Sequence, residues 1–187
     1  MLPSERFSSL LMPFRSSPAS PQLPEGYRLA QSPGTDLADG SERAAASLNR
    51  LLLLCGEAPR SPERWALVLA RSAWHLAVLD GDGQLVGFLR ATSDQALNAN
   101  LWDLLSDPAE PQRELVIGAL VRSALARLRR ELSGCSISLS APPETVAIVA
   151  QAGFVVDPGG IRAMGLRLRS SDGASDRASD GSGPAGP

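Results

Sequence analysis

One stretch fixes more of this chain than any other: LVGFLRATSDQALNANLWDLLSDPAEPQRELVIGAL, from Leu85 to Leu120. Its first part reads as two strands, Leu85–Ala91 and Asn98–Ser106, joined by the polar connection Thr92–Leu97. After Asp107, Pro108 and Pro111 the period changes. Leu115, Val116, Ala119, Leu120, Ala124, Leu128 and Leu132 recur three and four apart, the apolar stripe of a long helix over about Gln112–Leu132. A helix that starts just past a strand end presents unpaired N–H groups and the positive end of its dipole there, a setting suited to an anion.

The flanks extend the pattern. Tyr27–Gln31 is a short first strand. Ser41 caps a helix that ends near Gly56, and Ser61 caps a second, with Pro62 at its first position. Trp74, Leu76 and Val78 then alternate as a strand does, and Asp80-Gly81-Asp82-Gly83 marks a hairpin. On the returning strand Leu85, Gly87, Leu89 and Ala91 share one face by parity. Beyond Gly134 come a strand over Cys135–Ser140, a short helix after Pro142-Pro143, a strand over Phe154–Val156, a turn at Asp157–Gly160 and a strand over Arg162–Leu168. The order β–α–α–β–β–β–α–β–α–β–β predicts a single α/β domain. Its sheet is mixed, mostly antiparallel and six- to seven-stranded, with helices on both faces.

Residues 1–25 hold many prolines and serines and read as a disordered leader, with Pro3 and Glu5 too early for a targeting pattern. Residues 170–187, rich in Gly, Ser and Asp, read as a disordered tail, leaving 26–169 as the folded domain. A net charge of −2 gives no global field for nucleic acid or anionic lipid, and no apolar run is long enough for a membrane span. Arg122, Arg127, Arg129 and Arg130 form a local basic cluster, read as a solvated helix face. Cys55 and Cys135 read as buried free thiols of a reducing compartment, and no metal-ligand spacing occurs.

Three segments in this order and at these distances resemble the GNAT superfamily of acyl-coenzyme A-dependent N-acetyltransferases. They are RATSD (90–94) with NANLWD (98–103), the approach from Asp107-Pro108 to Gln112, and Gly153-Phe154 followed by DPGGIRAM (157–164). The likeness is to the cyanobacterial and plastid branch, which includes serotonin N-acetyltransferase-like proteins. It implies a splayed pair of central strands for the pantetheine arm of acetyl-CoA. The backbone of Leu104, Leu105 and Ser106 would bond the pantetheine amides. The segment Gln112, Arg113, Glu114, Leu115, Val116, Ile117 and Gly118 would hold the pyrophosphate.

The chain departs from the family pattern in two places. Leu115 and Ile117 stand where the family loop has glycines, and branched side chains there crowd a phosphate or force a shallower wrap. Val149 stands where a tyrosine usually protonates the departing thiolate; the one tyrosine, Tyr27, reads as a packing or surface residue. Asp103 is the candidate base, with a structural clamp as the alternative. Asn98 and Asn100 either position substrate or satisfy a turn, and Ser136 and Ser138 either line the cleft or sit near an edge. Trp102 reads as core and His75 as a packed strand residue. Arg90 meets either a coenzyme phosphate or Asp94.

The resemblance thus implies a cytoplasmic acetyltransferase that moves acetyl from acetyl-CoA to a primary amine, either a small amine or a protein lysine, by direct attack in a ternary complex. The alternative is a catalytically degenerate GNAT-fold module that binds a ligand or a protein. Oligomeric state is left open, a homodimer included.

Overall fold

The structure, a computed structural model, describes residues 23–32, 37 and 41–160. The expected strand at Arg162–Leu168, the tail, and nearly all of the leader lie outside the described residues. By its internal contacts the chain divides into one unit reaching to Phe154 and a second starting at Val155. In the second, Pro158–Gly160 forms a 3-10 turn.

Local chemistry sets most of the elements. Ser41 Oγ accepts from Ala44 N at 3.2 Å and starts α1, Glu42–Leu54; Ser61 Oγ does the same for Arg64 N and starts α2, Pro62–Arg71. Five strands make one sheet in sequential order: β1 Arg28–Gln31, β2 Trp74–Leu79, β3 Leu85–Ser93, β4 Asn98–Ser106 and β5 Ser136–Leu139. The first three pairings are antiparallel and β4–β5 is parallel. Asp80 Oδ1 accepts from Asp82 N and Gln84 N to close the first hairpin. Asp94 Oδ1 accepts from the N–H groups of Ala96, Leu97 and Asn98 to close the second. Those bonds hold the Asp94 carboxyl far below its ordinary range. Two helices complete the unit, α3 Arg113–Glu131 and α4 Val146–Gln151, the latter entered through a 3-10 turn at Pro143–Thr145.

The sheet is covered on both faces. Leu76, Leu89, Leu101 and Leu104 pack with Val116, Ile117, Leu120 and Leu128 of α3. Leu85, Phe88 and Leu105 pack with Leu48, Leu51 and Leu52 of α1 and Trp65 of α2. One close approach fixes α3 against the sheet: a Cβ at Gly87 would lie 2.5 Å from Val116 Cγ1 and 3.1 Å from Leu120 Cδ1.

Several expectations change. Leu85 lies on the face opposite to Leu89 and Ala91, because the register slips between Val78/Leu79 and Gly87/Leu85 and the extra residue, Val86, reverses parity. Phe154–Val156 is not a strand, so no sixth strand appears among the described residues. Trp102 is 40% exposed and not core; its ring lies beside the Arg90 guanidinium and its Nε1–H bonds Thr92. Both cysteines are free but only half-buried.

Candidate active site

Strands β4 and β5 pair only from Asn98↔Ser136 to Leu101↔Leu139. Past Leu101, β4 continues through Trp102–Ser106 while β5 ends at Leu139, so among the described residues the β4 edge facing β5 has no ladder partner there. The opening coincides with a bulge: Phe88 pairs with Leu105 and Arg90 with Trp102, which leaves Asp103 and Leu104 opposite Leu89 alone. Asp103 takes φ 52°, the left-handed region that aspartate tolerates better than most residues.

That turn delivers the Asp103 carboxylate to two arginines. Arg60, in the α1–α2 connection, donates Nη2–H to Oδ1 at 3.0 Å and Nη1–H to Oδ2 at 3.4 Å; Arg90 of β3 donates Nε–H to Oδ2 at 2.5 Å. Burial pushes the Asp103 carboxyl up, but the hydrogen bonds and charges of Arg60 and Arg90 outweigh it and leave the pKa below the ordinary value. Arg90 pairs with Asp103 and not with Asp94, the protein partner expected for it. Arg60 itself is held in place: its N–H and C=O bond the Asn49 side chain at 2.9 and 2.8 Å, and its guanidinium lies 4.6 Å from the Trp65 ring centroid.

The cofactor candidates gather at the end of this opening. Leu104 and Leu105 are core residues by their side chains, so only their backbone faces a ligand. Ser106 is 3% exposed and its Oγ has no hydrogen-bond partner. Gln112 caps α3 without a side-chain bond, and α3 therefore begins with the N–H groups of Glu114 and Leu115 outside its ladder. Val116, Ile117 and Gly118 are buried; Ile117 packs in the core rather than across the helix start, and Leu115 alone of the two bulky residues is half-exposed. Arg113 reaches from α3 to Glu144, in the turn after β5, at 3.1 Å, and so links the two banks of the opening. Its Nε is buried without a partner. Among the described residues, Ser106 Oγ and Arg113 Nε are the buried side-chain polar atoms left unsatisfied, and both belong to the segments expected to hold coenzyme.

The other candidates have local partners. Asn98 bonds Asp94 through Nδ2. Ser138 Oγ bonds Asn100 Oδ1 across the paired part of β4 and β5. Trp102 Nε1–H donates to Thr92 Oγ1. His75 is 3% exposed, its pKa pushed down to about 4 by burial and by the charge of Arg127. Val149, at the tyrosine position, is buried in the core. Arg127 pairs with Glu131 and lies over Trp74.

Three participants were not identified from the sequence. Arg60 is one, because its partner is distant in the chain. Glu110 is another: its carboxylate accepts from Tyr27 Oη–H at 2.6 Å and from Gln112 N–H at 2.8 Å, and it pushes the Tyr27 hydroxyl up to about 12. The third is Cys55, whose thiol donates to Ser106 O at 3.4 Å and is raised in pKa by burial. Nothing in the run NANLWD (98–103) names the arginines.

No family model matches the chain. An uncharacterized N-acetyltransferase ycf52 of Pyropia yezoensis is 36% identical over 85 residues, 46% of this chain and 48% of that protein. The chloroplastic GCN5-related N-acetyltransferase 2 of Arabidopsis thaliana is 38% identical over 90 residues, 45% of this chain and 34% of its own length. The chloroplastic serotonin N-acetyltransferase 2 of Oryza sativa is 32% identical over 124 residues, 63% and 60%. The chain thus spans half or less of the length of the first two. Among solved structures, a probable acetyltransferase of Staphylococcus aureus superposes with TM-score 0.62 at 12% identity, covering 77% of this chain and 99% of that one, a likeness of fold. The expected cytoplasmic location is overturned by these relatives, two of which are chloroplast proteins. Over about half of its length the chain is similar in sequence to GCN5-related N-acetyltransferases, the plastid ycf52 proteins among them, it shares its fold with a probable acetyltransferase, and acetyl-CoA is the co-substrate that this likeness implies.

Proposed function

We propose that the chain transfers an acetyl group from acetyl-CoA to a primary amine, on a small molecule or a protein lysine, by direct attack in a ternary complex. The observation that carries this reading is the pair of orphaned atoms, Ser106 Oγ and Arg113 Nε, at the open end of the β4–β5 splay. A buried polar atom without a partner costs about 1–3 kcal/mol. Both would be relieved by a polar ligand lying along β4 toward the start of α3. The chloroplast relatives support a plastid setting.

Bound acetyl-CoA would supply the thioester. The chain's own part is to bind, orient and polarise. The β4 edge at Leu104, Leu105 and Ser106, unpaired among the described residues, offers backbone groups to an extended amide-bearing arm. At the other end Gln112, Arg113, Glu114 and Leu115 present helix-start N–H groups and a guanidinium to phosphate, with Val116, Ile117 and Gly118 holding the turn in place from the buried side. Arg113 would exchange Glu144 for phosphate as the two banks separate.

Asp103 is a positioning group in this mechanism. Its ionised carboxylate is shared by two guanidiniums, so its affinity for a proton is low and it serves to hold the bulge. Water deprotonates the amine and reprotonates the thiolate, consistent with Val149 having no proton to give. The rival reading, a GNAT-fold binding module without turnover, draws on that same residue.

Calorimetric titration with acetyl-CoA and with free CoA tests the reading. The wild-type chain binds both; Arg113→Gln weakens binding about tenfold or more, as loss of a charged hydrogen bond should. No binding heat for either would overturn it. Binding without acetylation of any amine would establish the rival.

A further inference from the structure

We infer that the acceptor is an amine whose own molecule carries a carboxylate, and that Arg60 and Arg90, set around Asp103, recognise that carboxylate. The inference rests on the acetyltransferase reading and names the substrate class of the same site.

Charge gives the first argument. Two guanidiniums face one carboxylate at the bulge, so the cluster has one positive charge in excess. It is also largely withdrawn from water: the side chains of Arg60, Arg90 and Asp103 are 28%, 16% and 12% exposed. Holding an excess charge in such a place costs free energy. A clamp on Asp103 alone would need only one of the two arginines.

Donor capacity gives the second. Arg60 uses two of its five N–H groups on Asp103, and Arg90 uses Nε–H alone, so donors on both forks remain for another oxyanion. The forks are also preorganised. Asn49 brackets the Arg60 backbone and accepts from Trp65 Nε1–H at 2.8 Å, the Arg60 guanidinium lies over Trp65, and Arg90 lies 5.9 Å from the ring centroid of half-exposed Trp102. Little side-chain entropy is left to lose on binding.

Position gives the third. Asp103 lies two residues past the last β4–β5 pair, Leu101↔Leu139, so a carboxylate on these forks places its molecule's amine beside the opening. The excess positive charge draws a carboxylate and disfavours an acceptor that is only cationic; the seated carboxylate then neutralises the cluster, and water takes the ammonium proton. A polyamine or a lysine in a basic peptide has the wrong charge for this site.

Steady-state acetylation of two C-terminally amidated dipeptides, aspartyl-phenylalaninamide and asparaginyl-phenylalaninamide, which differ only in whether the molecule carries a carboxylate, tests the inference. We expect kcat/KM at least tenfold higher for the aspartyl peptide in the wild type, with the ratio falling toward one in Arg60→Gln. In Arg60→Lys, which keeps the charge and loses the fork, it should fall between. A merely structural role for Arg60 would lower both rates and leave the ratio alone. Equal rates in the wild type, or a ratio unmoved by Arg60→Gln, would overturn it, and preference for phosphoethanolamine over β-alanine would overturn the choice of carboxylate. If acetyl-CoA does not bind, the coenzyme assignment fails separately, and titration with N-acetyl-aspartate still decides the forks: no binding there overturns the inference.

Discussion

Asp103→Asn separates a base from a clamp, because asparagine keeps the shape and removes the charge. Three N–H···O contacts converge on the carboxylate, at 2.5, 3.0 and 3.4 Å. A charged hydrogen bond contributes about 1.5–3 kcal/mol. Asparagine offers one acceptor oxygen and turns its NH2 toward a guanidinium, so at least one of the two shorter bonds is lost. The freed Arg60, 28% exposed, can relax into water and recover part of that loss. The net cost is about 2 kcal/mol, which for a chain of this size lowers Tm by about 4–8 °C. The sign of the pH dependence follows from the lowered pKa. The pair's stabilisation is fully present above the unfolded carboxyl value of about 3.9 and is lost as pH falls through the folded value. The Tm gap between wild type and Asp103→Asn is therefore widest at pH 7 and narrows toward pH 3. Thermal melts monitored by circular dichroism at both pH values measure it. Removing a general base costs about 10²–10⁴ in rate, whereas removing the clamp leaves kcat within about tenfold. An unchanged Tm with kcat down a hundredfold or more would refute the reasoning.

Three further substitutions probe the helix start. Gly87→Ala drives a methyl to 2.5 Å from Val116 Cγ1, and overpacking of that kind costs about 1–3 kcal/mol, offset by about 0.5–1 from leaving glycine. A lower Tm together with weaker acetyl-CoA binding is expected by calorimetry, since Val116 lies in the first turn of α3; a Tm at or above wild type would count against the close approach. Leu115→Gly and Ile117→Gly should part company. The first removes a half-exposed side chain at the phosphate end, and calorimetry should show tighter coenzyme binding with about 1 kcal/mol of helix propensity lost. The second deletes a side chain 1% exposed in the core and should cost about 3–6 kcal/mol, read as a large loss of Tm with no gain in affinity.

What was legible in the sequence is what is settled within a few residues. Ser41, Ser61-Pro62, the Asp80–Gly83 turn and the α3 stripe each carry their cause beside them, and the elements formed where those signals stand. Parity failed where a distant partner intervened. Leu85 changes face because β2 pairs with β3 one residue out of step, a fact about two strands that neither states alone. Ile117 and Leu115 look equivalent in the chain, two residues apart, yet the helix turns one into the core and leaves the other at the rim. Trp102 reads as core from residue type, but it is 40% exposed, its indole held by Thr92 and beside Arg90.

Asp103 shows why the site resisted reading more than the fold did. An aspartate near the end of a strand carries no local sign that it will adopt φ 52°, and without that turn its side chain would follow the ordinary alternation of β4. The bulge is imposed by the pairing with β3, and it is stabilised by arginines that lie 43 positions upstream and 13 positions away across the hairpin. Each part depends on the others. The left-handed turn is costly for a residue with a Cβ, the buried carboxylate is costly without cations, and the guanidiniums are costly in excess. These costs are offset together only if the backbone they hold open is put to use. Asp103 lies two residues past the last β4–β5 pair, and a strand drawn straight through position 103 would lack the bulge that brings its carboxylate to Arg60 and Arg90.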